Sequence, residues 1–157
     1  MKLDIEALLT SKGREFLRAA RATEFEIDRL KRECRHPLPE LYLDLLRFSN
    51  GGVGPLQVQP YWYVCYEIAE VLKLHADPHY ADWLYDFVVI GGNGAGEFLA
   101  LDYRKLPSIA VVAIDMCNAN LNETLLVADD FEAFLRHIGI ESPEIPEFEP
   151  SPEQPEV

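Results

Sequence analysis

This chain is short of cysteine, of positive charge and of long apolar runs, and each shortage excludes a class of protein. Cys34, Cys65 and Cys117 are odd in number, far apart and without a C-x-x-C pair. That argues against a disulfide framework or a zinc ribbon and for reduced thiols. No apolar stretch approaches the length of a bilayer span, since charge or glycine interrupts each one. The first residues, MKLDIEALLTSKGREF, carry acids inside their short apolar part and lack a signal-peptide pattern. The expectation is a cytoplasmic protein.

Basic residues number 14 against 27 acidic ones, for a net charge of −13. Six of the acids (Glu141, Glu144, Glu147, Glu149, Glu153 and Glu156) follow Arg136, the last basic residue, which leaves about −7 for the rest. Such a surface repels phosphate backbones and anionic lipid, so neither nucleic acid nor membrane is an expected partner. A protein with a basic surface is the electrostatic complement. Acidity alone also serves solubility.

Catalytic signatures are equally scarce. No serine stands in G-x-S-x-G. Gly91-Gly92-Asn93-Gly94-Ala95-Gly96 has the wrong spacing for a dinucleotide fingerprint, and the EFLALDY that follows alternates like a strand. No Lys-Ser or Lys-Thr pair follows to make a P-loop. The glycines read as a β-hairpin connection. His75, Asp77, His79 and Asp82 form a local cluster, but Pro78 interrupts the helix that would align the two histidines, and no third ligand is marked. A polar surface loop is the expectation, with neither metal nor cofactor. Cys65, inside YWYVCY, reads as a buried, inert thiol. Glu97 and Asp102 stand five residues apart on one strand and point to opposite faces, the wrong geometry for an acid–base pair.

What remains is a chain of 157 residues, 48 % hydrophobic and 26 % charged, long enough for one domain with a substantial core. Its pivot is LPELYLDLLRFSNGG. There Leu38, Leu41, Tyr42, Leu45, Leu46 and Phe48 share one apolar arc, Pro39 fits a first helical turn, and Asn50, Gly51 and Gly52 stop the helix. Residues 3–21 read as one bent helix or two short ones, with Ile5, Leu9, Phe16 and Ala20 on one face across Gly13. Thr23 and Glu26 have capping-box spacing ahead of Ile27, Leu30 and Cys34, and that helix ends near His36-Pro37. Alternation over Leu56–Gln59 reads as a strand with Pro60 at a bulge or edge, continuing weakly through Tyr61–Val64.

Ile68, Val71, Leu72 and His75 are spaced as a helix. Strands are expected at Phe87–Ile90, Phe98–Asp102, Ile109–Ile114 and Leu125–Val127. Asp129 with Glu132 repeats the capping box before a helix that buries Phe131, Phe134, Leu135 and Ile138, closed by Gly139. The order predicts an α+β fold: a single domain with a largely antiparallel sheet of about five or six strands and helices packed on one face.

Three pieces together, LPELYLDLLRFSNGG, FVVIGGNGAGEFLALDYR and VADDFEAFLRHI, resemble the SUKH superfamily, the Smi/Knr-like domains. The residues that carry the resemblance are Leu38, Pro39, Tyr42, Asn50, Gly51 and Gly52; Ile90, Gly91, Gly94, Gly96, Glu97 and Asp102; and Ala128, Asp129, Phe131, Phe134 and Leu135. It divides the chain into an N-terminal helical extension (1–22), the Smi/Knr-like domain (23–139) and a Pro/Glu-rich flexible tail (140–157). The resemblance implies a non-enzymatic protein-binding domain without cofactors, in bacteria an immunity protein that binds and neutralises a co-encoded toxin. The alternative is an intracellular scaffold or regulator without a toxin; a small ligand-binding or hydrolytic enzyme around Gly91–Gly96 and Glu97 ranks third.

The matched residues are structural, so the binding surface has to be sought elsewhere. Exposed aromatic rings beside acids are binding-surface material. That selects Trp62 and Tyr63, with Tyr61 as alternate, and the acids Glu67, Glu70 and Glu97. The toxin domain is expected to present a basic surface; monomer and dimer are both open.

Overall fold

Local caps set where the helices of this chain begin. The computed structural model describes residues 2–117 and 120–143. Asp4 caps α1 (Ile5–Leu9) by accepting from the Ala7 N–H at 3.1 Å. Thr23 and Glu26 form the reciprocal box at the start of α2 (Glu24–Glu33), each side chain bonding the other's backbone N–H. In α3 (Glu40–Phe48), Pro39 is the N-cap, and Tyr42, Leu43, Leu45, Leu46 and Phe48 are buried. The exit from α3 is as tight as its glycines imply: Gly51 and Gly52 have φ of +117° and +106°. Buried Ser49 locks this corner, donating to the Gly51 carbonyl at 2.7 Å and accepting from the Ala19 N–H at 2.9 Å. Asn50 Oδ1 receives the Ile68 N–H at 2.9 Å, so the loop also caps α4 (Ile68–Ala76).

The remaining elements are β1 (Val53–Pro55), β2 (Trp62–Cys65), α5 (Pro78–Ala81), β3 (Phe87–Gly92), β4 (Glu97–Asp102), β5 (Ala110–Asp115), β6 (Leu125–Ala128) and α6 (Phe131–His137), with a 3₁₀ turn at Leu121–Glu123. The six strands form one antiparallel sheet in sequence order, β1 to β6. On one face, Val88, Ile90, Leu99, Leu101, Val111 and Ala113 meet the buried residues of α1, α2, α3, α4 and α6. On the other, Phe87, Val89, Phe98, Ala100, Val112 and Ile114 are covered by Leu84, with Tyr80, Trp83 and Leu121 partly buried against them. The central strands are therefore apolar on both sides, which explains why FVVI and AVVAI do not alternate. This is the α+β fold that the sequence predicts.

Three local expectations need correction. Residues 3–21 are not helical throughout. Gly13 turns the chain with φ +89°, and an extended strap follows. Leu17 and Val53 exchange backbone hydrogen bonds at 2.8 and 3.1 Å, while the Ala20 carbonyl accepts from Asn50 and the Ala22 N–H donates to Leu46. These distant partners cover the open edge of β1, where a helix would leave it bare. Second, Leu56–Val64 is not one strand. Tyr61, at φ +71°, turns the chain between β1 and β2 behind a cis Gln59–Pro60 bond. Third, the cap of α6 is Asp130, which accepts from Ala133 N at 2.8 Å, not Asp129; only Asp130 has its side chain at the helix entry.

Gly139, with φ +87°, ends α6 and sends its N–H to the Pro55 carbonyl at 2.7 Å, while its own carbonyl accepts from Glu15. The N-terminal strap and the end of α6 thus meet at β1. Most of the proposed tail, from residue 144 onward, lies outside the described residues.

Candidate protein-binding surface

Strand β2 sorts the aromatic run by parity. Tyr63 and Cys65 point to the helical face and are buried, whereas Trp62 is 41 % exposed and Val64 half-buried. Tyr63 is wholly inaccessible. Its hydroxyl donates to the Ile90 carbonyl at 3.1 Å and its ring stands edge-on to Phe134, centroids 5.1 Å apart. The expectation that Tyr63 contacts a partner is therefore overturned; it is a core residue. Tyr61 is half-buried in the turn before β2.

Trp62 stands beside the glycine hairpin. A Cβ on Gly94 would lie 3.9 Å from Trp62 Cδ1 and 3.7 Å from Val64 Cγ2. The hairpin is held by Asn93, whose Oδ1 accepts from Ala95 and Glu97 N–H groups at 2.9 and 3.0 Å, while its Nδ2 donates to Glu97 Oε1 at 3.2 Å. That bond fixes the Glu97 carboxylate at the mouth of the hairpin. Tyr66 lies over Gly92, where a Cβ would come within 3.1 Å of its hydroxyl. Burial, then the nearby Glu70 carboxylate and Tyr80, push its phenol pKa up. Trp62, Val64 and Glu97 thus flank the β3–β4 hairpin, with Tyr66 over Gly92 and Glu70 near Tyr66. Glu67 is exposed but belongs to another corner, beside Gly51.

Elsewhere, Cys65 and Asp102 are committed to structure. Burial pushes the Cys65 thiol up to about 11, so it stays protonated at neutral pH. Burial alone would raise the Asp102 pKa, but two hydrogen bonds from the Arg104 guanidinium, at 3.0 and 2.9 Å, more than reverse that and hold it below its ordinary value. Among the described residues no three His, Cys, Asp or Glu side chains gather as a metal site. No helix among them is long and apolar enough to cross a membrane.

His75, at the end of the expected helix and also in the local His/Asp cluster, closes α4 onto the sheet: its Nε2 accepts the Val89 N–H at 2.8 Å. Burial first, then Arg35 and His36, lower its pKa from 6.5 to about 4. A protonated ring has no lone pair for Val89. Between pH 6.5 and 4 the unfolded chain binds the proton and the folded one does not, so this contribution is full above pH 6.5 and is lost as pH falls, on the order of 3 kcal/mol in all. Urea unfolding of the wild type at pH 7.5 and pH 5 should show that loss beginning. His75→Gln, whose amide oxygen accepts at either pH, should show a flatter dependence; identical slopes would contradict the assignment.

Residues 21–137 match the sequence model of the SMI1 / KNR4 family (SUKH-1). No curated protein matches the chain at a significant level. The matched span runs from the end of the N-terminal strap to the last residue of α6, so it takes in the whole six-stranded sheet and both helices that carry the sequence signature. The chain belongs to the SMI1 / KNR4 family (SUKH-1).

Proposed function

We propose that this chain is a non-catalytic protein-binding domain of the immunity type, which neutralises a toxin domain with a basic surface by occupying it. The observation that carries the reading is Trp62, a 41 % exposed indole set against a glycine hairpin with the Glu97 carboxylate tied down beside it. An aromatic ring with a rigid backing is the usual anchor of a protein interface, and fixed carboxylates around it steer a basic partner. The acidic balance of the chain supports the same partner and disfavours nucleic acid and anionic membrane. The cytoplasm, where a cell is exposed to its own toxin, is the matching compartment.

The test is co-expression with the toxin domain encoded by the neighbouring gene, followed by calorimetry and stopped-flow binding on the purified pair. Rescue of growth and a 1:1 complex are expected. The association rate should fall as salt is raised, and Glu70→Lys with Glu97→Lys should lower it and flatten that dependence. Pull-downs that return only housekeeping proteins, with no rescue, would point to a scaffold instead.

A further inference from the structure

Helices α3 and α6 begin side by side, with Tyr42 edge-on to Phe131 at 5.6 Å between ring centroids. Between these two helix starts and the 107–109 loop runs an open groove of about 630 Å³. Its floor is apolar: Leu41 and Ile109 are half-buried against the core, with Phe131 beneath them and Pro39 and Pro107 at the walls. Its rim carries Glu40, Asp129, Asp130 and Glu132, and no basic residue lines it. Three of these acids have duties within the fold. Asp130 caps α6, Glu40 reaches Arg47 at 3.0 Å, and Glu132 stands 3.7 Å from Arg136. Asp129 is exposed and has no hydrogen bond or ion pair among the described residues.

We propose that this groove holds an extended segment of a partner protein in which lysine or arginine alternates with aliphatic residues. An aliphatic side chain would cover the Leu41–Ile109 floor, and a cation would extend its methylene stem over the same floor and place its head among the rim carboxylates. Charge decides against other occupants. A second copy brings a net charge of −13 to an acidic rim, and the end of this chain, from Glu141 onward, holds six glutamates and no lysine or arginine. The inference rests on the reading of the chain as a binder of a basic protein and adds a second contact region, apart from Trp62, with the chemistry that fits it.

The experiment is an NMR titration of the isotope-labelled full chain with three synthetic pentapeptides: alternating lysine and leucine, alternating lysine and serine, and alternating glutamate and leucine. The lysine–leucine peptide should shift the amides of Leu41, Ile109 and Phe131, and either substitution in the peptide should weaken it about tenfold or more. Asp129→Lys with Glu132→Lys should weaken it by at least about tenfold, whereas Asp28→Lys with Glu67→Lys, exposed acids outside the groove and an equal change in net charge, should weaken it about twofold. Thermal unfolding confirms that each variant is folded; Asp129→Asn with Glu132→Gln serves where the lysine pair is not. Equal weakening by the two lysine pairs, or shifts centred on Trp62, would overturn the groove. Because the peptides require no natural partner, that result leaves the toxin-binding reading to be judged by co-expression.

Discussion

Gly91→Ala is expected to destabilise the domain by about 3 kcal/mol or more, enough to leave much of the chain unfolded at moderate temperature. The added Cβ would collide with the Val64 carbonyl oxygen and lie 2.6 Å from Tyr63 Cε1. Neither neighbour can retreat. Val64 is paired within the β1–β2–β3 ladder, and Tyr63 is fixed on its other side by Phe134 and by its bond to Ile90. The β3–β4 register shifts between Val89 and Gly91, at this same close approach. Gly96→Ala is the control: at φ +103° it faces open space, so only backbone strain is expected, about 1 kcal/mol. Urea unfolding of the two variants separates the roles. Equal, small effects would mean that Gly91 is not the point of contact between β2 and β3.

Features closed by local bonds were mostly legible in the sequence, the α6 cap falling one residue later than expected, at Asp130. The Thr23–Glu26 box spans four residues, the α3 exit needs left-handed backbone at Gly51 and Gly52, and the β3–β4 turn needs it at Gly94 and Gly96. Each is written in residue type and spacing. What the sequence did not reveal depends on partners far along the chain. The 14–20 strap is extended because Val53 and Asn50, thirty or more residues on, take its backbone hydrogen bonds. The parity of YWYVCY is set by the pairing of Gly54 with Tyr63 and of Cys65 with Gly91. Alternation implied that some rings face outward but not which, and Tyr63 fell on the inner face. The groove beside α3 was hidden for the same reason, since Leu41, Ile109 and Asp129 come together only when the sheet has formed.

Trp62→Ala carries the second large effect, this time on binding. Its indole has one side against the Gly94 turn and Val64, and 41 % of the residue is open. Removing it deletes apolar surface that a partner would cover while leaving the core on the opposite face of β2 intact. A buried interface anchor is worth about 2 kcal/mol or more, which corresponds to a rise of about thirtyfold in dissociation rate. Tyr63→Ala, one residue on, should do the reverse and cost the fold about 3–5 kcal/mol through lost burial and the cavity left against Phe134.

The central claim is that β2 presents its outer face to a partner and its inner face to the core. The measurement that bears on it most directly is the dissociation rate of the Trp62→Ala complex with the toxin domain, taken with the melting temperature of the free variant. A rate about thirtyfold faster, with a melting temperature within about 2–4 °C of wild type, is the predicted result. An unchanged dissociation rate, or a melting temperature that falls as far as that of Tyr63→Ala, would contradict it.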